Sequence, residues 1–194
     1  AIKSKIIEFN GVDASTSQDY GRIVNERHFS RIVSYLDGHE VVYGGNYNAE
    51  NKYIEPTIVL NPAHDSPLMQ QEIFGPLLPI ITVKNISQSI PFVNERAKPL
   101  GLYVFTKNKA FEQTVLQETS AGMVCINDGF MFAANPNLPF GGVGNSGMGA
   151  YHGKIGFDNF SHLKTVMKRS FMFDVPLRYP PFTDAKFAWL KRLL

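Results

Sequence analysis

The sequence predicts an α/β fold with a parallel sheet, and three observations carry that expectation. Two nearly unbroken apolar runs, Leu77–Val83 and Leu100–Phe105, read as strands buried on both faces, as parallel strands are. A shorter β-rich run, Met123–Ile126, follows them. Between consecutive runs lie segments with helical starts: Ser87 heads a helix to about Ala97, and Asn108 heads one to about Ser120. Strand, helix, strand, helix, strand is the order that parallel crossover units require.

The remaining elements follow in order. A helix is predicted from about Ser17 to Asp37, with Ser17 as N-cap, Asp19 in the first turn and Gly38 as the stop. Its apolar rhythm is carried by Ile23, Val24, Phe29, Ile32, Val33 and Leu36. Glu40–Tyr43 reads as a short strand ending at Gly44 and Gly45, and Asn46–Lys52 as a hairpin-like loop. Tyr53–Leu60 is β-rich but broken by Pro56, which no central strand accommodates. Leu68–Glu72 reads as one helical turn, and Pro91 is tolerated in the first turn of the Ser87 helix. Asp128–Gly149 is a long loop, too apolar at Phe130, Met131, Phe132, Leu138 and Phe140 to be disordered, so it is expected to line a cleft. Beyond it come a short helix over His152–Phe160, a strand over Lys164–Phe173 and a basic-apolar helix over Asp184–Leu194.

Bulk properties narrow the function. The chain has 194 residues, enough for one domain or one domain with an appendage. With 44% hydrophobic and 19% charged residues it has the composition of a soluble globular protein. A formal net charge of +2 gives no reason to expect nucleic acid as a partner. No apolar run reaches membrane-spanning length, and the start, AIKSKIIEFNG, is not a secretory signal. The single cysteine allows no internal disulfide, which fits a reducing, cytoplasmic compartment. A first residue of Ala rather than Met is expected of a processed chain or of part of a longer one.

Pro139–Gly153, PFGGVGNSGMGAYHG, is the densest stretch of glycine. Gly142, Gly144 and Gly147 match G-x-G-x-x-G, but Pro136 and Pro139 precede them instead of a strand, and more glycines follow instead of a helix. The stretch therefore reads as a structural loop that crosses other elements. Cys125 lies in GMVCIN with no histidine nearby and reads as core packing. Ser146 is not in a nucleophile elbow, and there is no HExxH, CxxC or P-loop, so neither a metal nor a catalytic residue is assigned. His28 has no ligand-spaced partner and reads as a helix histidine. Glu72, just before Phe74-Gly75-Pro76, is placed to accept hydrogen bonds from ribose hydroxyls, with an adjacent ring able to shield a flat group. From spacing alone, a solvated helix-end acid remains the better reading of Glu72.

Four segments occur together and in order: QEIFGP (Gln71–Pro76), GMVCIND (Gly122–Asp128), LPFGGVGNSGMGAYHG (Leu138–Gly153) and FDNFSH (Phe157–His162). With YGRIVNERHFSRI (Tyr20–Ile32), YIEPTI (Tyr53–Ile58) and LRYPP (Leu177–Pro181), the chain resembles the carboxyl-terminal portion of an aldehyde dehydrogenase, from about residue 3 to 181. The resemblance is to the class 3 and fatty aldehyde dehydrogenase group. It implies NAD or NADP as cofactor, a fatty or aromatic aldehyde as substrate, and oxidation to the carboxylic acid through a cysteine thioester. By the same resemblance Glu72 holds the nicotinamide ribose hydroxyls and Phe74 packs beside the nicotinamide. Phe130 and Ala134 border the aldehyde tunnel, and Tyr151 and His152 lie near its mouth.

The resemblance also divides the chain. Residues 1–160 correspond to a catalytic-domain portion, 161–175 to an oligomerisation strand used in a homodimer, and 176–194 to a tail. The family's nucleophile sits in a G-Q-x-C motif upstream, and Cys125 does not match it. The general-base glutamate, the oxyanion-hole asparagine and the Rossmann domain also lie upstream. The chain alone is thus expected to be inactive, a fragment of the enzyme; the alternative is a truncated, non-catalytic module for assembly or dimerisation. The usual Glu-Glu of the family is Gln71-Glu72 here. The tail KFAWLKRLL resembles the segment before a membrane anchor. It fits either a helix on a membrane surface, at the endoplasmic reticulum face, or an exposed terminal helix near the tunnel.

Overall fold

The computed structural model describes residues 1–172 and 174–193. The chain divides into two compact units, Ala1–Arg96 with Gln113–Thr119, and Ala97–Glu112 with Ser120–Leu194.

The first unit begins with a helix that the sequence pattern did not reveal, α1 (Ile2–Asn10), which buries none of its residues. The second helix, α2 (Glu26–Ser34), starts well after Ser17, because Asn25 is the N-cap and its Oδ1 accepts the His28 N–H at 2.9 Å. The residues before it form a 3-10 turn and irregular bends instead of helix. Asp13 caps a 3-10 turn at Ala14–Thr16, the Arg22 guanidinium donates to the Ser15, Tyr20 and Gly21 carbonyls, and the Ile23 N–H donates to the Lys52 carbonyl. An arginine that satisfies three carbonyls removes the incentive to close helical turns there.

A three-stranded sheet has the order β1 (Val41–Tyr43), β4 (Thr57–Leu60), β5 (Leu77–Ile80). Here β1 and β4 are antiparallel, and β4 and β5 are parallel in the register Thr57↔Leu77 to Leu60↔Ile80. β2 (Tyr47–Asn48) and β3 (Tyr53–Ile54) form a small hairpin, and Pro56 separates β3 from β4 as expected. α2 lays Phe29, Ile32 and Tyr35 on Ile54, Val59, Leu68 and Leu77 to make the core. Ile32 and Val59 are 0% exposed. The buried Thr57 hydroxyl donates to the Glu55 carbonyl and accepts the Gly45 N–H, so it leaves no unpaired polar atom in that core. Short helices α3 (Pro67–Gln70) and α4 (Ser89–Asn94) flank β5 in the sequence.

In the second unit β6 (Gly101–Val104) and β7 (Met123–Ile126) pair in parallel, Gly101↔Met123 to Val104↔Ile126. Between them in the sequence comes α5 (Lys109–Glu118), whose residues from Gln113 onward fall in the first unit; it is capped by Asn108, whose Oδ1 accepts from the Ala110 and Phe111 N–H groups. Val104, Met123 and Phe132 are buried there. Two further helices follow, α6 (Met131–Ala134) and α7 (Gly153–Asn159).

Each unit ends a parallel strand with the same device. Asn61 after β4 and Asn127 after β7 take left-handed φ values of 43° and 58°. Each backbone N–H donates to the carbonyl of the last residue of the neighbouring strand, Ile80 of β5 and Val104 of β6. Each Oδ1 then accepts the N–H two residues past that strand, Thr82 at 2.8 Å and Thr106 at 2.7 Å. Asparagine suits the role because it tolerates the left-handed region and carries its own acceptor.

The strand expected over Lys164–Phe173 is not formed. Residues 164–170 have no regular structure and 171–172 lie in a turn, while Phe173 is outside the described residues. An extended segment becomes a strand only by pairing, and among the described residues none pairs with this one. Leu163, Val166, Met167, Phe171 and Met172 are exposed along it. The tail helix α8 (Asp184–Leu193) forms as expected, with Leu194 outside the described residues.

Candidate functional site

The loop between α3 and β5, Gln71–Pro76, has a pinned backbone and leaves the Glu72 and Phe74 side chains exposed. The Arg31 guanidinium reaches from the last turn of α2 and donates from Nη1 to the Glu72 carbonyl at 3.0 Å and from Nη2 to the Ile73 carbonyl at 2.8 Å. The Tyr35 hydroxyl accepts from Arg31 Nη1 at 2.7 Å and donates to Gln71 Oε1 at 2.7 Å. Gly75 lies against Ile32: a Cβ there would sit 2.7 Å from Ile32 Cδ1. The Pro76 carbonyl accepts the Thr57 N–H at 2.9 Å.

Within this frame Phe74 takes a left-handed φ of 48° with its ring 83% exposed. A non-glycine residue in that region costs of order 1 kcal/mol, and exposure of the ring gains nothing in return. Glu72 is exposed too, and its carboxylate forms no ion pair among the described residues. An acceptor pair and an apolar face, side by side on a fixed backbone, fit a ribose and a flat heteroaromatic ring. The residues present therefore suit the nicotinamide end of a dinucleotide.

In the second unit a line of rings runs from β6 to the glycine stretch. Tyr103 stacks on Phe132 with centroids 5.4 Å apart, and Phe132 leads to Phe140 at 6.3 Å. Phe140 meets Tyr151 at 5.4 Å and His152 at 5.7 Å. Phe130 joins at the other side, 6.5 Å from Phe132. The structure thus connects Phe130, Tyr151 and His152 through Phe132 and Phe140. Ala134, at the exposed end of α6, borders an open concavity of about 540 Å³ with Cys125, Met131, Phe132 and Leu138. Cys125 is half-buried and faces that concavity, not the closed core expected, because β7 pairs only with β6 in its sheet. Glu72 and Phe74 belong to one unit, and Phe130, Ala134, Tyr151 and His152 to the other.

The glycine stretch is a crossing, not a phosphate cradle. Phe140 and Tyr151 form an antiparallel bridge with both hydrogen bonds at 2.9 Å, and the intervening loop folds back on itself. A Cβ on Gly141 would run into the Gly149 carbonyl, and one on Gly142 into that of Ser146. Close backbone approach is why glycine is needed there. A 3-10 turn at Gly144–Ser146 stands where a dinucleotide fingerprint would need a long helix.

Sequence reading missed Arg31 and Tyr35. They lie four apart, hence on one face of α2, but an arginine and a tyrosine on a helix carry no sign that they face a loop some 40 residues on.

The chain is an α/β protein with parallel strand pairs and an exposed acid–aromatic loop held at its backbone. Residues 5–166 match the family described as "Aldehyde dehydrogenase family", and the chain belongs to it, a family of oxidoreductases. It is 46% identical over 182 residues to "Aldehyde dehydrogenase, dimeric NADP-preferring" of Mus musculus. That match covers 93% of this chain and 40% of the relative. It is 46% identical over 195 residues to "Aldehyde dehydrogenase family 3 member A2" of Rattus norvegicus, covering all of this chain and 40% of that protein. Among solved structures, "Substrate bound state of Staphylococcus Aureus AldH" superposes with a TM-score of 0.89 at 43% identity. That superposition covers 99% of this chain and 42% of the other. The chain thus spans about two-fifths of the length of the curated relatives it matches.

Proposed function

We propose that this chain works as the carboxyl-terminal part of an NAD(P)+-dependent aldehyde dehydrogenase that oxidises fatty or aromatic aldehydes to carboxylic acids. The observation that carries the reading is the Gln71–Pro76 loop, fixed at its backbone and open at Glu72 and Phe74. When bound, NAD(P)+ supplies the hydride acceptor. Glu72 accepts hydrogen bonds from the nicotinamide ribose hydroxyls, and Phe74 covers one side of the ring. Phe130, Ala134, Tyr151 and His152 contact the aldehyde side, where exposed aromatic rings suit an apolar substrate.

The chain contributes no nucleophile in this reading. Its only thiol is Cys125, half-buried on β7, with no histidine near it in the sequence. The 194 residues alone are therefore inactive, and turnover needs the nucleophile, base and dinucleotide domain of the upstream portion. Dimerisation through residues 161–175 is supported by the exposed apolar side chains of that segment and by the word "dimeric" in the mouse relative's name. That relative is also described as NADP-preferring; either nucleotide is admitted here, because Glu72 and Phe74 meet only the half that the two share. Among the described residues no helix is long and apolar enough to cross a membrane. Exposed Phe187 and Trp189 beside Lys191 and Arg192 on α8 support surface attachment of an otherwise cytoplasmic enzyme, at the endoplasmic reticulum face.

The test is nucleotide-linked aldehyde oxidation by the 194-residue chain and by the same chain joined to its upstream sequence. The expected result is turnover by the second alone. No turnover by either favours a non-catalytic assembly module, and turnover by the first that Cys125→Ser abolishes assigns the nucleophile to Cys125.

A further inference from the structure

We infer that Arg31, acting with Tyr35, is a positioning residue that sets the cofactor-facing loop for hydride transfer. The core of α2 is made by Phe29, Ile32 and Tyr35. The Arg31 guanidinium lies over the Tyr35 ring, 5.2 Å from its centroid, and directs its donors to the Tyr35 hydroxyl and to two consecutive loop carbonyls, Glu72 and Ile73. N–H groups on two successive carbonyls fix the two peptide planes on either side of Ile73, and those planes border Glu72 and Phe74, so they set where both side chains point. Tyr35, 4% exposed, extends the contact by one residue, passing from the guanidinium to the Gln71 amide oxygen. Immediately after the clamp comes Phe74, at φ 48° with its ring in solvent.

A left-handed aromatic with no packing partner persists only where its surroundings over-determine the backbone. Arg31 supplies that constraint from one side and the Ile32–Gly75 contact from the other. Lysine at position 31 would keep the charge but cannot span two carbonyls from one ammonium with the same geometry. The chemical consequence rests on the dehydrogenase reading above; the geometric one does not.

The experiment therefore reads both, on the protein carrying its upstream portion. Arg31→Met, Arg31→Lys and Tyr35→Phe are compared for kcat, the NAD(P)+ KM and the primary isotope effect with aldehyde deuterated at C1. Hydrolysis of an activated aryl ester, which needs the nucleophile but no cofactor, is followed alongside. Chymotryptic cleavage after Phe74 in the native protein reports loop order directly. Arg31→Met is expected to lower kcat about 10-fold to 100-fold, raise the isotope effect, leave ester hydrolysis and Tm nearly unchanged, and speed cleavage about 10-fold or more. Arg31→Lys is expected to fall between, with Tyr35→Phe shifting the same way by less. Unchanged cleavage and isotope effect in Arg31→Met would overturn the inference. So would a parallel loss of ester hydrolysis, oxidation and Tm, which marks Arg31 as a support of the fold only. Absence of oxidation by the unsubstituted protein defeats the dehydrogenase reading instead, and the cleavage rates still decide whether Arg31 sets the loop.

Discussion

Gly75 and Ile32 should behave as a coupled pair, and the structure sets the size of the coupling. A Cβ added at Gly75 meets Ile32 Cδ1 at 2.7 Å and Cγ1 and Cγ2 at 3.3 Å. Ile32 is 0% exposed, so Cδ1 has no free space into which to swing. Gly75→Ala should therefore destabilise by about 1–3 kcal/mol, the range for overpacking. Gly75 does not have a positive φ, so a gain of about 0.4–1 kcal/mol from a less flexible unfolded chain offsets part of that. Ile32→Val removes only Cδ1, the atom in conflict, and should cost about 0.5–1.5 kcal/mol by leaving a small void. In the double variant the new Cβ occupies that void, and the 3.3 Å contacts to Cγ1 and Cγ2 need shifts of only a few tenths of an ångström. The double variant should thus be more stable than the sum of the singles by about 1 kcal/mol or more. Urea denaturation of the four proteins measures it. Additivity within about 0.5 kcal/mol would refute the close approach of the loop to α2.

Three further outcomes follow from the same structure. Burial, with smaller contributions from Tyr53 and Glu55, raises the Tyr20 hydroxyl above its ordinary value of 10.0, while its proton is donated to the Ile54 carbonyl. A folded-state value raised above the unfolded one means stability is full below about pH 10 and is lost as pH rises beyond it, so Tyr20→Phe should flatten the alkaline arm of the stability profile and cost about 1 kcal/mol at neutral pH. Asn127→Ala should cost about 1–3 kcal/mol by removing both side-chain bonds to Thr106 at φ 58°, and Asn127→Gly, which relieves only the backbone, should recover about 1 kcal/mol in the same denaturation assay. Cys125→Ser should leave aldehyde oxidation by the protein with its upstream portion within about twofold of the parent, since the half-buried thiol is not the nucleophile.

The strands and most helices were legible because their signals are local. Apolar runs mark β5, β6 and β7, Asn108 marks the start of α5, and Pro56 marks the break before β4. The start of α2 was misjudged because what keeps residues 15–23 out of a helix is a set of contacts by the Arg22 side chain, invisible to any count of period. The strand over Lys164–Phe173 was expected from composition, but pairing needs a neighbour, and composition does not supply one. A legible signal went unused at Asn61 and Asn127, each of which directly follows an apolar β run, TIVL and MVCI. At the candidate site, spacing alone favoured a solvated acid at Glu72, and only the neighbouring motifs suggested more. The Arg31 clamp joins residues 41 and 42 positions apart, a relation a single sequence does not disclose. The glycine stretch was read correctly as a crossing because its flanking prolines and trailing glycines fit neither strand nor helix.

The account depends most on Glu72 as the acid that meets the nicotinamide ribose. Single-turnover mixing of the protein, with its upstream portion, against aldehyde and NAD(P)+ separates formation of reduced nicotinamide from acylation of the enzyme. Glu72→Gln keeps the shape and removes the charge, so hydride transfer should slow by about 10-fold to 100-fold while acylation by an activated ester keeps its rate. A burst of reduced nicotinamide at the parent rate in Glu72→Gln would contradict it.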